Sequence, residues 1–244
     1  ELNDFVGGKS ESKPLRFPPC KEYIGSKALG YLKQRGITQR EISYFGIREG
    51  DQNEEHDIRG RVVFPDWSSS GDLVYWVART FTGQQNKYWN APVPRTDKLF
   101  NAGRIVPGQK RVVVVEGPIS AVVASKTIGR AVVACLGKYF THTQLDMIAA
   151  IGAEEVIAMM DGDAEAKSYS MAAELSSRGQ SVSVAKFNRE KDDPADVSRV
   201  ELEEIVESRV PYSRFVHLTA SLHAPTKRDK TISDGQSISD VAHR

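Results

Sequence analysis

Three acidic segments, each placed directly after an apolar and β-branched run, constrain this chain more than any other feature. Arg111–Gly117 reads RVVVVEG, Met160–Asp163 closes the run VIAMMDGD, and Lys191–Asp196 (KDDPAD) follows the run from Val182 to Phe187. Each run reads as a strand. If the strands are parallel neighbours, their carboxyl ends share one edge and the acids converge there. Carboxylates gathered without matching cations repel one another, and oxygen donors suit hard divalent ions such as Mg²⁺. The pattern therefore points to a metal site.

The alternation supports a parallel sheet. From Arg111 onward, strands Val112–Val115, Ala131–Cys135, Glu155–Met160 and Val182–Phe187 are separated by helical stretches. The first of these opens at Pro118 and stops at Gly129, and the others run to about Ile151, over about 164–178, and over about 197–208. Such βα repeats predict right-handed crossovers and helices on the sheet faces. Upstream the pattern differs. KALGYLKQRG and TQREISYFG read as two short helices, the second opened by a Thr38–Glu41 capping box. Strands Arg61–Trp67 and Leu73–Phe81 follow, joined by a turn at Gly71. The expected class is α/β, with a smaller mixed α+β unit in front of a parallel sheet flanked by helices. The expected boundaries are a flexible leader over 1–25, the α+β unit over 26–108, the α/β unit over 109–210 and a polar tail over 211–244.

Charge is informative only where it is concentrated. Lys and Arg total 33 against 32 Asp and Glu. Between Val77 and Val112, however, the cations are Arg79, Lys87, Arg95, Lys98, Arg104, Lys110 and Arg111, against the single acid Asp97. Phe81, Tyr88, Trp89 and Phe100 are interleaved with them, a combination that grips single-stranded nucleic acid. The bland alternative is buried aromatics with cations that merely solvate a loop. Trp67 and Trp76 lie in strand runs and are expected in the core. Cys20 and Cys135 are too few for a disulfide framework or a zinc knuckle, and His56, His142, His217, His223 and His243 make no ligand spacing with them. No apolar run spans a bilayer and no secretion signal is visible, so no membrane partner and a cytoplasmic location are expected.

Taken in order, VVVVEGPISA, CLGKYFT, VIAMMDGDAEA and KDDPADV resemble the Toprim domain of DnaG-type primases, topoisomerases and some nucleases. The upstream segments YLKQRGITQREISYFGIREG, RGRVVFP, GDLVYWVARTF, KYWNAPVP and LFNAGR are similar to the amino-terminal subdomain of the bacterial and bacteriophage primase core. The resemblance covers roughly residues 26 to 200, and its compact form suggests a phage enzyme. It implies a Toprim catalytic domain and a DNA-directed RNA polymerase, a nucleotidyltransferase that makes short RNA primers on a single-stranded DNA template from ribonucleoside triphosphates.

The resemblance also implies roles for particular residues. Glu116, Asp161 and Asp163 would be catalytic. The same three with Asp193 and Asp196 would hold Mg²⁺ or Mn²⁺, with Asp192 as a further participant and no zinc. Arg59, Arg61, Arg79, Lys87, Tyr88, Asn90, Lys98 and Arg104 would contact nucleotide or nucleic acid. Ser120, Ala102 and Ala166 depart from the family's Asp, Lys and Gly. With no zinc-binding or helicase domain visible, the resemblance implies either an excised core or a minimal protein served by a helicase or a separate site-selecting domain. The alternatives are a degenerate Toprim module that holds single-stranded DNA and a Toprim nuclease; topoisomerase lacks room for its cleavage domains. The polymerase reading requires Glu116 and Asp161 to share one pocket, and a lysine plugging that pocket would require it to be withdrawn.

Overall fold

The computed structural model describes residues 14–54, 57–137, 139–189 and 192–216. Most of the expected leader and tail, together with His56, Lys138, Lys191, His217, His223 and His243, lie outside the described residues.

Two sheets organise the chain. The first is antiparallel, ordered β1 (Arg48–Glu49), β2 (Arg61–Trp67), β3 (Leu73–Thr80) and β4 (Tyr88–Asn90). β2 and β3 are the expected hairpin, whereas β1 and β4 are short edge strands that the apolar pattern did not announce. Helices α1 (Ser26–Gln34) and α2 (Gln39–Phe45) precede it, and α2 opens with the expected Thr38–Glu41 capping box and ends at Gly46 in the left-handed region.

The second sheet is ordered β6 (Val132–Ala134), β5 (Arg111–Val115), β7 (Glu155–Ala158), β8 (Val182–Val184) and β9 (Val210–Pro211). The first four pair in parallel, and β9 closes the edge antiparallel to β8. Helices α3 (Pro118–Ile128), α4 (His142–Ala150), α5 (Glu165–Ser177) and α6 (Arg199–Glu207) make the crossovers. The unbroken valine run follows from burial on both faces: Val112 and Val114 pack with α4 and α5, while Val113 and Val115 pack with α3 and α6. Because β6 and β7 flank β5 on opposite sides, the chain reverses direction across the sheet at β5. Open α/β sheets bind ligands at the strand ends beside such a reversal.

One apolar core joins the two sheets. It runs from Leu32, Phe45, Phe64 and Val77 to Val113, Ala121, Val122 and Ile157, with α3 buried between them. Phe100 is part of this core and stacks on Phe45 at 5.9 Å, so it is not an aromatic face for nucleic acid. A polar seam reinforces the joint. Phe100 pairs with Ala134 and continues the sheet beyond β6, and Asn101 donates from Nδ2 to the Val132 and Arg130 carbonyls at 2.8 and 3.1 Å. The Asn101 N–H donates to Asp66 Oδ1 of β2 at 2.8 Å. Chains approach so closely here that a Cβ on Gly103 would stand 2.2 Å from the Trp67 carbonyl oxygen.

Both expected end boundaries shift. Within 14–25, Leu15, Phe17 and Ile24 pack on the core and Cys20 bridges Gly50, because apolar residues in a polar stretch still find cover. At the other end, Pro211 lies in β9 and the Phe215 ring meets Tyr169 at 4.3 Å, so the α/β unit continues past 210.

Candidate functional site

Register brings the acids together. Val114 pairs with Ala158, so the chain leaves adjacent strands at Glu116 and at Asp161, and the loop after neighbouring β8 supplies Asp193 and Asp196. Glu116, Asp161, Asp193 and Asp196 all line one cleft of about 590 Å³. Asp163 is exposed beside it, close enough for its charge to act on Asp161. The Gly162 N–H donates to the Asp192 carbonyl at 2.9 Å, which ties the DGD turn to the third acidic loop.

Electrostatics mark Asp161 as the centre. Burial, followed by the charges of Glu116, Asp193 and Asp163, pushes its carboxyl up to about 7, against the lowering effect of Lys167. Burial also raises Asp193, with Asp196 adding to it, while a hydrogen bond from the Ala195 N–H and the charges of Arg35 and Arg79 oppose the rise. Asp161 Oδ1 and Asp192 Oδ2 are buried without a hydrogen-bond partner. Buried carboxylate oxygens left unpaired are costly, and a hard cation is the partner such donors suit. The donor set fits Mg²⁺ or Mn²⁺. It is not a finished cage: among the described residues no three His, Cys, Asp or Glu side chains are grouped tightly enough to hold an ion. The expected five-acid set is thus spread around the cleft rather than closed, and one member is taken up elsewhere. Lys167 Nζ donates to Glu116 Oε2 at 2.7 Å, although Lys167 does not line the cleft and leaves it open.

The opposite wall is cationic and comes from the antiparallel sheet. Arg79, Tyr88 and Asn90 line the cleft as expected, with the Arg79 guanidinium 4.6 Å from the Tyr88 ring centroid. The other basic candidates lie elsewhere. Arg61 is 3% exposed, and its guanidinium donates to the Asn86 and Lys87 carbonyls at 2.7 and 3.4 Å, so it holds the β3–β4 turn. Arg104 donates to the Tyr44 carbonyl and stacks on Tyr44 and Trp67. Arg59 pairs with Asp57 at 2.7 Å and Lys98 with Asp97 at 3.1 Å, while Lys87 is exposed away from the cleft.

Two arginines in the cleft were not among the expected site residues. Arg35, at the carboxyl end of α1, reaches 3.9 Å from Asp196. Arg95 lies over Gly137, where a Cβ would come within 3.2 Å of its guanidinium carbon. Arg95 belongs to the basic run visible in the sequence, whereas nothing local distinguishes Arg35 from a surface arginine; only the docking of one sheet on the other brings both in. Gly117, Pro118, Ile119 and Ser120 also line it, so the α3 amino terminus, which has no side-chain cap, opens into the cleft. Ser120 stands there buried, at the position where the resemblance implies an Asp.

The comparisons with known proteins follow the same outline. A family model described as Toprim-like matches residues 113–198. The DNA primase of Staphylococcus epidermidis is 27% identical over 182 residues, which is 59% of this chain and 30% of that protein. The DNA primase of Helicobacter pylori is 24% identical over 226 residues, 83% of this chain and 40% of its own length. The chain therefore spans well under half the length of these relatives. Among solved structures, the Aquifex aeolicus primase zinc-binding and RNA polymerase domains align with a TM-score of 0.71 at 21% identity, covering 82% of this chain and 60% of that one. A DnaG primase catalytic domain bound to single-stranded DNA aligns with a TM-score of 0.68 at 20% identity, covering 80% and 75%. This chain carries a Toprim-like domain set in the fold of the DnaG primase catalytic core, and DNA primases are its homologues.

Proposed function

We propose that this chain is the catalytic core of a DNA primase, joining ribonucleotides on a single-stranded DNA template. The observation that carries the reading is the two-signed cleft: Glu116, Asp161, Asp193 and Asp196 on the parallel sheet face Arg79 and Arg95, with Arg35 beside Asp196. In nucleotidyl transfer a primer 3′-hydroxyl attacks the α-phosphorus of a nucleoside triphosphate and pyrophosphate leaves, so negative charge accumulates on phosphoryl oxygens. Asp161, Asp193 and Glu116 would hold Mg²⁺ or Mn²⁺, which supplies charge neutralisation and a more acidic hydroxyl. Arg79 and Arg95 are placed to grip phosphates, through contacts that are strong, salt-dependent and indifferent to sequence. The uncapped α3 N–H groups at Ile119 and Ser120 add a fixed positive end for an anion. Tyr88, 45% exposed and backed by Arg79, offers a stacking face for a base.

Incubation with single-stranded DNA, labelled ribonucleotides and Mg²⁺ or Mn²⁺ is expected to yield short RNA. Shortened DNA would replace this reading with a nuclease. A second reading, a module that holds single-stranded DNA without synthesis, is favoured by buried Ser120 in the cleft and by the pairing of Glu116 with Lys167. Retention of DNA with no RNA product would select it. On this reading the chain would work beside replicating DNA in the cytoplasm of a bacterial or phage-infected cell; no helix among the described residues is long and apolar enough to cross a membrane. A helicase or a separate site-selecting domain remains part of the proposal as the partner that directs initiation.

A further inference from the structure

Lys167 is a cation placed where a helix least favours one. It is the third residue of α5, in the turn where backbone N–H groups already present positive charge. Its compensation lies across the sheet edge, in the 2.7 Å ion pair with Glu116, whose two side chains are 25% and 27% exposed. At that exposure neither group is desolvated enough to be locked. A salt bridge of this kind contributes little, and a lysine's four-carbon arm swings without moving its helix. The groups facing this ammonium are the acids of the cleft. It acts on Asp161 as well as on Glu116, and Asp161 keeps a buried oxygen with no partner.

We infer that Lys167 is a displaceable counter-ion for Glu116. Its ammonium occupies that carboxylate while no divalent cation is bound and withdraws when one enters. The side chain thereby sets how readily the acidic corner takes its cation. Lys167 is in this sense a positioning residue that acts through Glu116. The inference rests on the metal-binding reading given above.

The test is Mn²⁺ binding to the purified chain, followed by electron paramagnetic resonance and calorimetry without nucleotides or DNA. Lys167→Met is expected to bind Mn²⁺ several-fold more tightly, up to about tenfold. Lys167→Arg, which keeps the charge, is expected to stay within about twofold of the parent protein. In a Glu116→Gln background most of the Lys167→Met gain is expected to be lost, because the two residues act as one unit and only the charge effect on Asp161 remains. Unchanged or weaker binding by Lys167→Met overturns the inference, as does a gain of undiminished size in Glu116→Gln. If the parent protein binds no Mn²⁺ that Asp161→Asn removes, the metal reading falls and the inference with it. Mn²⁺ binding that is intact but insensitive to Lys167 sinks the inference alone.

Discussion

The two sheets place their functional side chains by different rules. In the second sheet β5, β6, β7 and β8 all point the same way, so whatever follows β5, β7 and β8 arrives at one edge; Glu116, Asp161 and the Asp193–Asp196 loop could hardly avoid one another. In the antiparallel sheet, successive strands run in opposite directions and adjacent residues face opposite sides. A basic segment there is distributed between cleft, core and solvent. Arg79 enters the cleft, Arg61 is buried under the β3–β4 turn, and Arg59 pairs with its neighbour Asp57. Direction of chain, more than density of charge, decides whether a cluster in sequence becomes a cluster in space.

The largest expected effect tests the parallel side. Asp161→Asn is expected to lower primer synthesis by about 100-fold or more. Single-stranded DNA binding should stay within about twofold, since the cationic wall is untouched; a variant that extends primers normally would dissolve the acidic half of the comparison.

The seam between the sheets comes next. Burial pushes the Asp66 carboxyl up from an ordinary 3.8 to about 7, against the hydrogen bonds from the Asn101 and Trp67 N–H groups and the charges of Arg104 and Lys98. A folded-state pKa raised above the unfolded one means that the folded protein holds the extra proton. Asp66 therefore favours folding fully below about pH 4, and that contribution is lost as pH rises towards 7. The loss is on the order of 4 kcal/mol. Asp66→Asn keeps an acceptor for both N–H groups and removes the ionisation. Relative to the parent protein, the variant is expected to gain stability between pH 5 and pH 8 in urea unfolding, and equal slopes in the two proteins would contradict the buried acid.

Two arginines separate the cleft from the core. Arg61→Ala takes the guanidinium donor from the Asn86 carbonyl and leaves the Lys87 carbonyl with the Thr80 N–H alone, and is expected to cost about 2 kcal/mol of stability, with DNA affinity per folded molecule unchanged. Arg79→Ala is expected to do the reverse: unfolding little altered, DNA binding weakened roughly three- to tenfold, and the salt dependence of binding reduced by about one charge. If Arg61→Ala weakens binding and Arg79→Ala only destabilises, the division of the basic segment drawn here is inverted.

The sequence alone determined the parallel sheet, its helices and the acidic edge, because all of these depend on short-range pattern. Four valines in a row, Pro118 at a helix start, Gly129 at its end and an acid after each strand carry their meaning within a few residues. The edge strands β1, β4 and β9 escaped notice because two or three residues make no period, and their pairing depends on a partner far along the chain. Tertiary structure alone decided which cations face the acids. Arg35 on α1 and Arg95 in a loop meet the cleft only because α3 is buried between the two sheets, and Lys167 meets Glu116 only because β5 and β7 are neighbours. A long flexible cation carries no local signal of its destination. Its role is set by whichever carboxylate or carbonyl the packed core brings within its reach.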